Sequence, residues 1–80
     1  MSADKYLRFV DHGTSPSGKT RMWYVVSIIG DAHLGIVSWY APWRRYVFNP
    51  ADGTLYDANC LGALREFCYE QTTRHGEKKP

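Results

Sequence analysis

Only one stretch of this chain, from about Ala58 to Arg74, spaces its apolar residues as a helix does. Cys60, Leu61, Leu64, Phe67, Cys68 and Gln71 fall on one broad stripe, and Arg65, Glu66, Glu70 and Arg74 fall mostly off it. Asp57 suits the N-cap, because its carboxylate can accept a backbone N–H that the first turn leaves unpaired. Tyr56 and Leu61 stand where a hydrophobic staple forms, and Gly76 stands where a helix ends. Glu70 and Arg74 make an i,i+4 pair in the favourable order. Gly62 costs the helix ~1 kcal/mol against alanine unless close packing on a sheet needs it. A single helix covers one side of a sheet, so the other side must face water, a second copy or a ligand.

The residues before the helix read as strands and turns. Tyr6–Val10 alternates enough for a first strand, and His12–Lys19, rich in Gly, Ser and Pro, reads as a mobile loop. Arg21–Ile29 is dominated by β-branched and aromatic residues, the pattern of a central strand. Leu34–Tyr40 is the third strand, with Gly35, Val37 and Trp39 on one face and Ile36, Ser38 and Tyr40 on the other. Ala41-Pro42 breaks it, since proline has no N–H for a ladder. Trp43–Phe48 is the fourth strand, placing Arg44, Tyr46 and Phe48 on one face and Trp43, Arg45 and Val47 on the other. Pro50 and Gly53 make a turn of Asn49–Thr54, after which Leu55-Tyr56 is expected to return as a short strand. The expected fold is α+β: an antiparallel four- to five-stranded meander with one C-terminal helix packed on one face. Residues 1–80 form a single domain, with 1–4 and 76–80 frayed.

Composition narrows the function classes. With 44% hydrophobic residues, and 15% aromatics from 3 Trp, 6 Tyr and 3 Phe, the chain is not a disordered tail. A net charge of +2, from 10 Lys+Arg against 8 Asp+Glu, is too mild to announce a nucleic-acid binder and too basic for a DNA mimic. No apolar run approaches the ~18 residues of a bilayer span. Met1–Lys5 lacks the basic-then-apolar pattern of a secretory signal. Cys60 and Cys68 lie on one helix, ~12 Å apart along its axis and beyond disulfide reach. Two unbridged thiols suit a reducing, cytoplasmic setting.

The aromatic excess concentrates between Trp39 and Phe48, where two Trp, two Tyr, one Phe and two Arg share one hairpin. Trp, Tyr and Arg dominate protein–protein hot spots, and interleaved rings and guanidiniums also suit bases and phosphates. The expected binding residues are Trp39, Tyr40, Trp43, Arg44, Arg45 and Tyr46. Core packing accounts for any one ring, but one helix cannot cover rings on both faces. No catalytic or metal site is expected, and no cofactor. His12, His33 and His75 have no ligand spacing, and neither C-x-x-C nor a phosphate loop occurs. Asp11-His12 beside Ser15 and Ser17 lies in a loop too mobile for catalysis. A helix N-terminus can lower a thiol pKa, yet free cysteines are more often buried packing groups, which is the expected role of Cys60.

The string LGIVSWYAPWRRYVFNP followed by NCLGALREFCYEQTTRH resembles small uncharacterised proteins of phages and prophages. These share an LG-x-[IV]-x-W…WR-x-Y-x-F-x-P hairpin and a C-L-x-x-[IL]-x-x-F helix. The matching residues are Leu34, Gly35, Val37, Trp39, Trp43, Arg44, Tyr46, Phe48 and Pro50, then Cys60, Leu61, Leu64 and Phe67. The resemblance covers about Trp23 to His75, leaves out the first 20 residues, and implies expression inside a bacterial cell but no activity. The expectation is therefore a non-catalytic accessory protein that binds a bacterial host protein, such as a defence factor, through the hairpin. A homodimer formed by the open sheet faces is expected with it. The alternative is a nucleotide or nucleic-acid binding module, including a nucleotide sponge. There Arg8, Lys19, Arg21, Arg44 and Arg45 meet phosphate while Trp39, Tyr40 or Trp43 stacks on a base.

Overall fold

The computed structural model describes residues 6–77; residues 1–5 and 78–80, with the leader reading of Met1–Lys5 and the rest of the expected frayed ends, lie outside the described residues, while Gly76 and Glu77, expected beyond the helix, are its last two residues. Four strands, β1 (Leu7–Thr14), β2 (Arg21–Ser27), β3 (His33–Tyr40) and β4 (Arg45–Pro50), pair antiparallel in chain order as a meander. The helix α1 (Ala58–Glu77) lies across one face, giving the expected α+β fold. No described helix is long and apolar enough to cross a membrane.

Two bulges keep the apolar residues of β1–β3 on one side. Asp11 pairs with Trp23 and Gly13 with Met22, leaving His12 as the extra residue in β1. Val25 pairs with Gly35 and Val26 with His33, leaving Leu34 as the extra residue in β3. The face under α1 then carries Leu7, Phe9, Trp23, Val25, Val37, Trp39, Tyr46 and Phe48. Val25 and Val37 are wholly buried, each stabilising the fold by ~1.5–3 kcal/mol relative to exposure. From the helix come Cys60, Ala63, Leu64, Phe67 and Cys68. Phe67 stacks flat on Phe9 at 3.9 Å between centroids and meets the Trp23 edge at 5.1 Å.

The elements differ from expectation where long-range bonds outweigh local pattern. β1 runs on to Thr14, because Gly13 and Thr14 find partners in β2 beyond the bulge. The Ser15–Thr20 segment is a turn closed by Ser15 N–H to the Thr20 carbonyl at 2.7 Å and Gly18 N–H to the Ser15 carbonyl at 2.9 Å. β2 stops at Ser27, two residues early. Ala41–Trp43 is a short 3₁₀ turn, and Arg44 is left-handed at φ 55°. Trp43 and Arg44 therefore leave the strand, and β4 begins at Arg45. Leu55-Tyr56 forms no strand. Instead the Tyr56 hydroxyl donates to the Leu34 carbonyl at 2.8 Å, fastening this segment by a side chain.

The helix N-cap is as expected: the Asp57 carboxylate accepts the Cys60 N–H at 2.9 Å. The staple is not, since Leu61 is 55% exposed; Ala63 takes the buried place on the stripe. Nothing crowds Gly62, so close packing on the sheet does not explain it. The helix also covers the exposed edge of β4. Tyr46 N–H, which points out of the sheet, donates to the Thr72 hydroxyl at 2.9 Å.

Candidate functional site

The hairpin that holds the predicted binding residues is split by the pleat. Its residues alternate sides, so rings adjacent in sequence end on opposite faces. Trp39 and Tyr46, cross-strand partners, both face the helix and meet edge to face at 5.2 Å. Tyr46 is 6% exposed, and its hydroxyl accepts the Arg21 N–H at 3.2 Å. Its ring therefore belongs to the core and not to an exposed aromatic surface, which corrects its placement as a surface contact. Trp39 is half-buried and carries the His75 ring at 4.4 Å. Phe48 also lies under the helix side, against Tyr56 at 5.5 Å.

Tyr40 and Trp43 stand outside. They are 43% and 63% exposed and meet edge to face at 5.0 Å, forming an aromatic corner at the end of the hairpin. The 3₁₀ turn makes this corner. Pro42 suits its start, and the Arg44 N–H caps it by donating to the Tyr40 and Ala41 carbonyls at 2.9 and 3.0 Å. Arg45 pairs with Tyr40 across the ladder, and its Nε–H donates to the Trp43 carbonyl at 3.2 Å, tying guanidinium to corner. Arg45 has no carboxylate partner among the described residues.

The sheet face away from α1 is uncovered by any described residue. Alternation puts Arg8, Val10, Tyr24, Val26, Ile36, Ser38, Val47 and Asn49 on it. Asn49 bridges to the Ser38 hydroxyl at 3.0 Å. His12 and His33 both pack on Tyr24, at 4.3 and 5.4 Å between centroids. The Tyr24 hydroxyl lies 3.3 Å from His12 Nε2. The only acidic residue in the four strands is Asp11, which lies on the helix side and pairs with Arg21. Arg8 is met by Asp31 from the neighbouring turn at 2.8 Å.

The histidines are the residues that sequence reasoning passed over. No local pattern links His12 to His33; the β1 and β3 bulges bring both to Tyr24. On the helix side, His75 lies against Trp39 at one end of the sheet, where Lys19 and Arg44 line the same cleft.

The two thiols are held protonated. Burial pushes Cys68 up to about 11. Burial, then the Asp57 carboxylate beside it, also raises Cys60. Among the described residues no group of His, Cys, Asp and Glu could hold a metal ion. No protein-family model, no curated protein and no solved structure matches this chain.

Proposed function

We propose that this chain is a non-catalytic, cytoplasmic accessory protein of phage type. It binds a bacterial host protein through the uncovered sheet face and the Tyr40–Trp43 corner. The observation that carries the reading is that corner: two large rings held outward by a capped 3₁₀ turn, with the Arg45 guanidinium fixed beside them. Rigid exposed rings next to arginine give a hot spot at little entropic cost, since the turn has already ordered them. The adjoining face supplies apolar area from Val10, Val26, Ile36 and Val47, and no strand offers a carboxylate there. The matching partner surface is apolar at its centre and carries carboxylates opposite Arg45. A second copy would bring the same face, whose strands offer no carboxylate to Arg45 and whose neighbouring Asp31 is already paired with Arg8, so the charge pattern favours a different protein over a face-to-face homodimer. The protonated thiols support a binding role over nucleophilic catalysis. The phage setting rests on the hairpin and helix motif, which implies no activity; a defence factor as target follows only from that setting.

A photo-crosslinking amino acid placed at Val10 or Trp43 in bacterial cells tests this. Both positions are expected to capture the same host protein, while Leu61 on the exposed helix surface captures none. Arg45→Ala is expected to abolish capture from Val10. Adducts between two copies alone, or none at all, would overturn the reading.

A further inference from the structure

The cleft at the C-terminal end of α1 lies on the helix side and borders the 3₁₀ turn that carries the Tyr40–Trp43 corner. It encloses about 500 Å³ and is bordered by Lys19 and Thr20 of the β1–β2 turn, Trp39, Arg44 and His75. A second cleft of about 350 Å³ shares Lys19 and His75 with it and reaches Arg21 and Arg74. Clefts of this size accept small organic ligands.

The charges within these clefts are unevenly satisfied. Arg21 is neutralised by Asp11, and Arg74 by Glu70 at 2.9 Å. Lys19 and Arg44, 25 positions apart in sequence, form no ion pair among the described residues. Two such cations lining one cleft favour an anion there more than a net charge of +2 suggests. Lys19 is placed by a turn closed on itself, because its N–H donates to the Ser17 hydroxyl at 3.3 Å. Arg44 is fixed by the left-handed cap of the 3₁₀ turn. The same cleft is lined by a tilted Trp39–His75 ring pair, 4.4 Å between centroids. The carbonyl end of α1 disfavours an anion beside His75 on the helix side of the cleft. The anion therefore belongs at Lys19 and Arg44, with the ring-bearing part of the ligand toward Trp39 and His75.

We propose that this cleft binds a mononucleoside phosphate, with the phosphate held by Lys19 and Arg44 and the base against Trp39 and His75. The +2 net charge suits a single small anion better than a long polyanion, which needs many phosphate contacts. This site is independent of the protein-binding reading, and its rings and cations are different ones.

Isothermal titration of the full chain with adenosine 5′-monophosphate, adenosine, inorganic phosphate and a short oligonucleotide, at low and moderate salt, tests it. Saturable binding of the monophosphate, tighter than that of adenosine or of phosphate alone, is expected. Lys19→Ala and Arg44→Ala are each expected to weaken it about tenfold, the loss typical of one charge-assisted contact. Trp43→Ala is expected to leave it unchanged, which separates this site from the aromatic corner. Absence of monophosphate binding overturns the proposal. So does equal binding of phosphate alone, tighter binding of the oligonucleotide, or indifference to both cation variants with folding intact by circular dichroism.

Discussion

At the residue scale, Gly35 is the described glycine that its neighbours crowd. It sits in β3 opposite Pro50, and a Cβ there would lie 2.3 Å from the Asn49 carbonyl oxygen and 2.7 Å from the Phe48 ring. The carbonyl belongs to the paired backbone and cannot rotate away, so the strands would have to part. Gly35→Ala is expected to destabilise the protein by about 2 kcal/mol or more, read as a lower urea midpoint. An unchanged midpoint would mean that β4 does not approach β3 this closely. Alternation predicts the face Gly35 occupies, but the need for glycine comes from β4 and the Phe48 ring, both distant in sequence.

At the element scale, the helix is anchored by Asp57 at its start and by Thr72 near its end. The Cys60 N–H holds the Asp57 carboxyl below its ordinary 3.8. A carboxylate with a depressed folded pKa contributes stability that is present above 3.8 and lost as pH falls through the lower folded value. Asp57→Ala is therefore expected to lower the thermal midpoint at neutral pH, with the gap from wild type closing in acid well below 3.8. Asp11, lowered chiefly by the Arg21 guanidinium, loses stability in the same direction in both proteins, so the difference isolates the cap. A gap that persists in acid would assign the effect to something other than the ionised carboxylate. This cap is legible in sequence because its donor and acceptor are three residues apart. The Thr72 bond to Tyr46 is not, because it spans 26 residues and depends on where the helix lands.

At the scale of the whole molecule, one helix on one side of a four-stranded sheet sets two groups of rings apart. One is a continuous cluster from Phe9 through Phe67, Trp23, Tyr46 and Trp39 to His75. The other is the Tyr40–Trp43 corner. The two groups should respond differently to truncation. Tyr46→Ala removes a buried ring and is expected to cost ~3–5 kcal/mol, enough to unfold a chain of this size. Trp43→Ala is expected to change stability by no more than about 0.5 kcal/mol. Chemical denaturation of the two variants side by side checks this. Comparable losses would show that Trp43 also belongs to the core.

The α+β meander, the helix with its Asp57 cap, and which residues of β3 share a face are all legible in sequence, because each rests on contacts a few residues apart or on the period-two pleat. The sequence placed the aromatic and arginine excess on one hairpin. It did not determine which side of that hairpin is inside. Alternation fixes only relative orientation, and Val37–Trp39 and Ile36–Tyr40 are equally apolar pairs. The landing side of α1 made that choice, drawing Trp39 and Tyr46 inward and leaving Tyr40 and Trp43 outside. The tertiary structure alone also decided that Lys19, Arg44 and His75 share a cleft, since three strands and a helix must pack before those residues can meet.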